Sequence, residues 1–355
     1  MDPSRDISAY LELAEAKGMR IAHVTETHIH ADFFSGTREL ADSTGATAHL
    51  PGEGGADWQY GHEGERLADG YTITVGYERS FSWWGHHLAA GDEQGFIDEL
   101  LDGQPDAPSY FGRMKRQNLE GPAILGPQSV LPELSVTAVR EGLANAAVTL
   151  IDTRDQHGVH AGAVRDAINI PAWNKPAVHA GWVLDPKSDT RPLVLLTDGS
   201  DTAHHLRNHL IRVGIDTVEG YVTATDGLPA AVPDLVGPDD LDSTDYEMLL
   251  DVRNASEFAQ GTIPGAVQLS AGRVLWHQDR LPASGTILSF CQSGVRNSVA
   301  SSALRRAGHR VIELEGSYLG WQAAQQRQGL QVQRPDGPQS PWPESGRGSG
   351  NPLRV

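Results

Sequence analysis

The chain repeats itself, and that repeat limits what it can fold into more than any other feature. "LIDTRDQHGVHAGAVRDAINI" lies over "LLDVRNASEFAQGTIPGAVQL" without a gap. Asp152 falls on Asp251, Arg154 on Arg253 and Ala167 on Ala266, each pair 99 positions apart. Further on "LIRVGI" matches "LRRAGH", with Gly214 on Gly308, now 94 apart. The first copy therefore carries five more residues (99 minus 94) between the two matched stretches. A unit of about 100 residues is the size of one domain. Two related units are expected, over 128–235 and 236–332.

Each unit reads as alternating strand and helix. "VTLIDTR", "PLVLLTD", "EMLLDVR" and "TILSFC" are short runs rich in Val, Ile and Leu that end in polar turns, the pattern of buried parallel strands. "TAHHLRNHLIRVG" and "VRNSVASSALRRAG" read as helices closed by a Gly at the C′ position. The expected fold class is α/β with parallel sheets. The Pro- and Gly-rich stretch "AVPDLVGPDD" reads as the linker, and 333–355, rich in Pro, Gly and Ser, as a disordered tail. Residues 1–122 stand outside the repeat. There "RIAHVTETHIHADF" reads as a strand entering a His-rich turn, "SGTRELADSTGA" as a helix and "TAHL" as a short strand.

Composition excludes several roles. A net charge of −18 repels polyanions and anionic lipid, so nucleic-acid and membrane partners are not expected. No apolar run reaches membrane-spanning length. The single Cys forms no internal disulfide, and the charged N-terminus lacks a secretory pattern, which makes the cytoplasm the expected location.

That single Cys sits in "SFCQSGVRNS". A strand delivers Cys291, Gly294 frees the backbone, and a helix begins just after. A helix N-terminus and a nearby Arg stabilise a thiolate. Amides of the loop Gln292, Ser293, Gly294 and Val295 can form an anion-binding nest, with Arg296 as a charged donor. The alternative is an inert buried Cys at a strand end. The repeat supplies a comparison, because the first copy has Thr197 at the Cys position and Thr202 at the Arg position. One chemically equipped copy and one without the groups would look like this.

The stretch 128–332 resembles a tandem pair of rhodanese (sulfurtransferase) domains. The resemblance rests on "LLDVRNASEFAQGTIPGAV", on the C-x-x-G-x-R loop and on "VIELEGSYLGW". It implies Cys291 as sulfur acceptor, Arg296 as an anion-binding or loop-ordering residue, and Asp251 and Arg253 as residues that order the structure. It implies an active second unit (236–332) and an inactive first unit (128–235). The six-residue loop from Cys291 to Arg296 suits sulfur, whereas related phosphatases have one more residue. Two departures stand out. Ser317 follows Gly316 where the family often has two glycines, and Arg165–Asp166 replace a Pro-Gly pair. The implied partners are small sulfane-sulfur donors and thiol acceptors, and sulfur transfer itself requires no cofactor.

Upstream, "THIHADF" places His28, His30 and Asp32 on a turn where they can converge on a metal. The surrounding sequence is similar to the opening of metallo-β-lactamase-fold enzymes fused to rhodaneses, a group resembling persulfide dioxygenases. The resemblance implies one iron held by two His and one Asp, so iron or zinc at 1–122 is a candidate cofactor. Phe33 occupies the last position of H-x-H-x-D-H, which argues against a two-metal hydrolase. The later His and Asp motifs of that fold are absent, and the chain passes from one part of the domain to another at about 76–83. Residues 1–122 therefore read as a truncated metallo-β-lactamase-like domain, for which His86 and His87 offer replacement donors. Such a domain leaves an edge or apolar face uncovered, which invites a homo-oligomer. Three functions compete: a sulfurtransferase acting through Cys291, an iron-dependent glutathione persulfide dioxygenase fused to rhodanese, and a non-catalytic sulfur-binding scaffold.

Overall fold

The computed structural model describes residues 1–52, 59–67, 85–101, 104 and 106–328. The tail 333–355 and the passage at 76–83 lie outside the described residues. The fold is α/β with parallel sheets.

Two of the sheets follow the same strand succession. In the first, Ile168–Asn169, Thr149–Asp152, Leu193–Leu196 and Val218–Val222 lie side by side, all parallel. In the second, Val267–Gln268, Met248–Asp251, Thr286–Phe290 and Arg310–Leu314 take the corresponding places, and Asp234–Val236 adds a fifth strand. Asp152 pairs with Leu196 and Asp251 with Phe290. The first pair spans 44 residues (196 minus 152) and the second 39 (290 minus 251), which reproduces the five-residue difference between the copies.

The expected linker is mostly structure. Ala230–Ala231 pairs antiparallel with Ala163–Val164, Asp234–Val236 joins the second sheet, and Pro238–Ser243 is a 3₁₀ helix. Only Val232 and Pro233 lie between the strands. An edge position accommodates this sequence, because Pro is excluded only where a ladder needs its N–H.

The helix Val295–Arg306 lies between the two sheets. It packs on its own strand Arg310–Leu314 and on Ile168–Asn169 and the helix Pro176–Val183 of the first unit. Every residue from Asn297 to Leu304 is buried, so the helix is covered all round. The seam is hydrogen-bonded. Ser298 Oγ donates to Asn169 Oδ1 at 2.9 Å, and Asn169 N donates to Ser302 Oγ at 2.9 Å. Beside it, Glu313 is buried against Arg305 of its own unit at 2.8 Å and His160 of the first unit at 3.3 Å.

The N-terminal segment forms a three-stranded parallel sheet of His23–Thr25, Thr47–Pro51 and Glu65–Leu67. The helix Thr37–Thr44 crosses between the first two strands. This segment is docked on the first unit. Phe34, Tyr110 and Met114 enter its core, and Arg5 pairs with Asp216 at 2.9 Å. Gly214 takes φ +70° and packs its α-carbon against the Phe34 ring, where a Cβ has no room.

Candidate active site around Cys291

The strand Thr286–Phe290 is buried along its whole length and delivers Cys291, which is 1% exposed. Gly294 adopts φ +110°, a conformation available to glycine, and the helix starts at the next residue. Its amide N–H donates to Cys291 Sγ at 3.2 Å. The sulfur thus receives a donor from the N-terminus of a twelve-residue helix, where the backbone favours negative charge. From the other side, Ser317 Oγ accepts the Cys291 N–H at 3.3 Å and lies 4.0 Å from Sγ. The loop is pinned by the next helix, since Tyr318 N donates to Cys291 O at 3.0 Å and Leu319 N to Gln292 O at 3.1 Å.

Two arginines shape the loop without lying free in it. Arg253 is buried and grips Asp251 through Nε and Nη2, the latter at 2.6 Å. It also donates to Gly261 O at 2.7 Å and to Gln292 Oε1 at 3.2 Å, and sits 4.1 Å from the Tyr318 ring centre. Arg296 makes a bidentate pair with Glu257 at 2.6 and 2.7 Å. That pairing, helped by the nearby Cys291, raises the guanidinium pKa, and the same hydrogen bonds hold the Glu257 carboxyl below its ordinary value. Glu257 also accepts the Asn254 N–H in a capping box at 3.1 Å. Arg296 is therefore placed to order the loop.

Of the remaining loop residues, Gln292 is held by Arg253, Ser293 is exposed and Val295 opens the helix. Glu257 and Gln156 were not singled out from the sequence, and Ser317 stood out there only as a departure from the family pattern. Gln156 belongs to the first unit, yet its Nε2 donates to Ser293 O at 3.4 Å. The signal for Ser317 was its departure from a double glycine. Glu257 lies inside the matched repeat segment, but nothing in its spacing tied it to Arg296.

The first unit keeps the framework, with Thr197 and Thr202 at the positions of the thiol and the arginine. Arg154 grips Asp152 at 2.9 and 2.5 Å and donates to Gly162 O at 2.8 Å, as Arg253 does one repeat later. Where the second unit has its thiol, Thr197 Oγ1 accepts the Gly199 N–H at 3.1 Å. Asp166 takes φ +61° where its counterpart Gly265 takes φ +82°, so the turn survives the loss of Pro-Gly.

The histidine motif is arranged differently from the two-His, one-Asp iron set that the resemblance implies. His28 is exposed and turned to Thr27 Oγ1 at 2.9 Å. His30 is buried, with Nε2 between Asp2 and Glu26 and Nδ1 3.7 Å from Asp32. Among the described residues, the groups whose donor atoms all lie within 4.8 Å of one another are Asp2–Glu26–His30 and His86–His87–Glu99. His28 and Asp32 are in neither, so the expected ligand set does not fit as a unit.

A strand-end cysteine whose sulfur meets the N-cap amide of the following helix defines an α/β thiol-loop domain. Comparison with known proteins places it further. The rhodanese-like domain family matches residues 238–324. A sulfurtransferase of Allochromatium vinosum is 33% identical over 98 residues, which is 27% of this chain and 88% of that protein. The chain thus belongs to the rhodanese-like family through its C-terminal unit. A tRNA uridine(34) hydroxylase of Xanthomonas euvesicatoria is 38% identical over 82 residues, but the chain spans only 33% of its length. A solved metallo-beta-lactamase from Staphylococcus aureus is 20% identical, with 63% of this chain and 91% of that chain covered at a TM-score of 0.49. Among the described residues, no helix is long and apolar enough to cross a membrane.

Proposed function

We propose that this chain is a sulfurtransferase in which Cys291 carries one sulfane sulfur from thiosulfate or a persulfide to a thiol or cyanide. The observation that carries the reading is the 3.2 Å hydrogen bond from Gly294 N to Cys291 Sγ at a helix N-terminus. The thiolate is the nucleophile in this chemistry. It attacks the outer sulfur of thiosulfate, forming Cys–S–S⁻ as the sulfur–sulfur bond of the donor breaks and sulfite leaves with its electron pair. Cyanide or an acceptor thiolate then attacks the outer sulfur of the persulfide and Cys291 leaves as thiolate, so no external oxidant or reductant is consumed. The burial of Cys291 favours small donors and acceptors over protein ones.

On this reading 236–332 is the active rhodanese domain and 128–235 an inactive rhodanese-like copy that supports it. Residues 1–122 are then a truncated metallo-β-lactamase-like domain, and the tandem pair is a cytoplasmic enzyme of sulfur metabolism. The test is intact mass after thiosulfate treatment. A species heavier by about 32 Da, one sulfur atom, should form in the wild type and be lost on adding cyanide, with thiocyanate released. Cys291→Ala should give neither. Full thiocyanate production by Cys291→Ser removes the proposal.

A further inference from the structure

The peptide between Ser293 and Gly294 is engaged on both edges. Its N–H donates to Cys291 Sγ at 3.2 Å, and its C=O accepts from Gln156 Nε2 at 3.4 Å. A trans peptide is planar and holds its N–H and C=O on opposite sides. The sulfur and the Gln156 amide therefore flank one peptide unit. The thiol belongs to the second unit of the repeat and the donor to the first.

Gln156 is held where this contact needs it. It opens the helix Gln156–Ala161, which Asp155 caps by accepting the Gly158 N–H at 2.8 Å. His160 stands one turn later on the same face. Its Nε2 lies 3.3 Å from the buried Glu313 of the second unit. One helix face thus touches the second unit at two points. The Gln156 side chain also lies over Gly294, where an added Cβ would meet its Nε2, Cγ and Cδ at 3.4, 3.6 and 3.6 Å.

The repeat accounts for this arrangement. Helix Ala255–Gln260 starts 99 positions (255 minus 156) after Gln156–Ala161 and is its equivalent. The copy in the second unit holds Arg296 through Glu257. The copy in the first unit holds Ser293 through Gln156. The thiol loop is gripped from two sides by two versions of one helix. A hydrogen bond accepted by a carbonyl polarises its own peptide, so the N–H on the far edge becomes a stronger donor. A stronger donor favours the charged form of the sulfur it meets.

We propose that Gln156 is a positioning residue for Cys291: through the Ser293–Gly294 peptide, the first unit stabilises the thiolate of the second. The role rests on the sulfurtransferase reading for its purpose, whereas its test reads the thiol itself.

Cys291 is the single cysteine, so alkylation of the full chain by iodoacetamide reports on it alone. The measurement is the midpoint of the alkylation rate against pH. Gln156→Met keeps the length and loses the donor, and should raise the midpoint by about 0.3 pH unit. Gln156→Glu turns a negative charge toward the Ser293 carbonyl and should raise it by about 1 unit. Gln156→Lys keeps a donor and adds positive charge, and should lower it. His157→Ala, at an exposed neighbour, should leave the profile unchanged. Gln156 is only partly buried, and three variants keep the test valid if one of them fails to fold by circular dichroism. Coincident midpoints for the wild type, Gln156→Met and Gln156→Glu would overturn the proposal. So would a shift in Gln156→Glu alone, which would reveal a nearby charge and no hydrogen bond. Shifted midpoints in a chain that forms no thiocyanate would count against the sulfurtransferase reading and support the link from Gln156 to the thiol.

Discussion

The hydroxyl of Ser317 touches both ends of Cys291: it accepts the backbone N–H at 3.3 Å and lies 4.0 Å from the sulfur. Ser317 does so at φ +54°, a left-handed conformation. For a residue with a Cβ this costs about 1–2 kcal/mol. Backbone strain of this kind persists where the surrounding structure over-determines it. Ser317→Gly should relieve the strain and lose the hydroxyl, whereas Ser317→Ala loses the hydroxyl and keeps the strain. The glycine variant should be the more stable of the two by about 1 kcal/mol in urea unfolding. Both should transfer sulfur several-fold more slowly, as the loss of a hydrogen bond worth about 1 kcal/mol implies.

Glu257 should make stability fall in acid. Its carboxyl is held below its ordinary value of 4.5, chiefly by Arg296. A depressed folded pKa stabilises above the unfolded value and is lost as pH falls through the folded one. Its contribution should be complete above pH 4.5 and decline below it. Glu257→Gln should flatten the stability profile in that range, measured as the urea midpoint against pH. The same variant should lower transfer at neutral pH, because Arg296 loses the carboxylate that places it.

The two aspartate–arginine locks should differ in strength. The Arg253 side chain is 2% exposed and that of Arg154 is 32% exposed. Removing one partner of a buried pair costs roughly 3–5 kcal/mol, because the other charge is left uncompensated. Arg253→Met should approach that cost, whereas Arg154→Met should cost less, because the vacated Arg154 position opens to solvent, which can then reach the otherwise buried Asp152 carboxylate. Equal urea midpoints for the two variants would contradict the burial argument.

Asn169 ties the first unit to the thiol-bearing helix. Its Nδ2 donates to Asp152 O and Arg154 O at 3.0 and 2.8 Å, while its Oδ1 receives Ser298. Asn169→Ala leaves the Ser298 hydroxyl and the Arg154 carbonyl without this partner, while Asp152 O keeps the Ile170 N–H, and should cost about 1–3 kcal/mol. It should also slow sulfur transfer, although the residue lies outside the thiol loop. A variant with wild-type kinetics would show that the first unit does not support the loop.

The parts readable in the sequence were those with a period or a copy. The offsets of the repeat reappear in the pairings of Asp152 with Leu196 and of Asp251 with Phe290. Buried strands of Val, Ile and Leu announce themselves, and Cys291 stood out by having Thr197 as its counterpart. Contacts between distant segments left no such trace. The grip of Glu257 on Arg296 joins residues 39 positions apart. The stretch read as a linker holds an edge strand, Asp234–Val236, that begins just after Pro233. Ser298, Ser301 and Ser302 are polar, yet each is buried, with its hydroxyl bonded to Asn169 Oδ1, Ser289 Oγ and Val299 O respectively. Small hydroxyl side chains let two sheets close on one helix, and no hydropathy pattern marks that. The histidine spacing pointed to His28, His30 and Asp32, but the carboxylates grouped with His30 come from Asp2 and Glu26, which the spacing does not include.

The helix Val295–Arg306 belongs covalently to one unit and is enclosed by both. A protease cutting at exposed Val232 would sever the backbone between the sheets without releasing either half. The nicked fragments should travel together through a sizing column under native conditions, with the thiol loop still in place, and part only in denaturant.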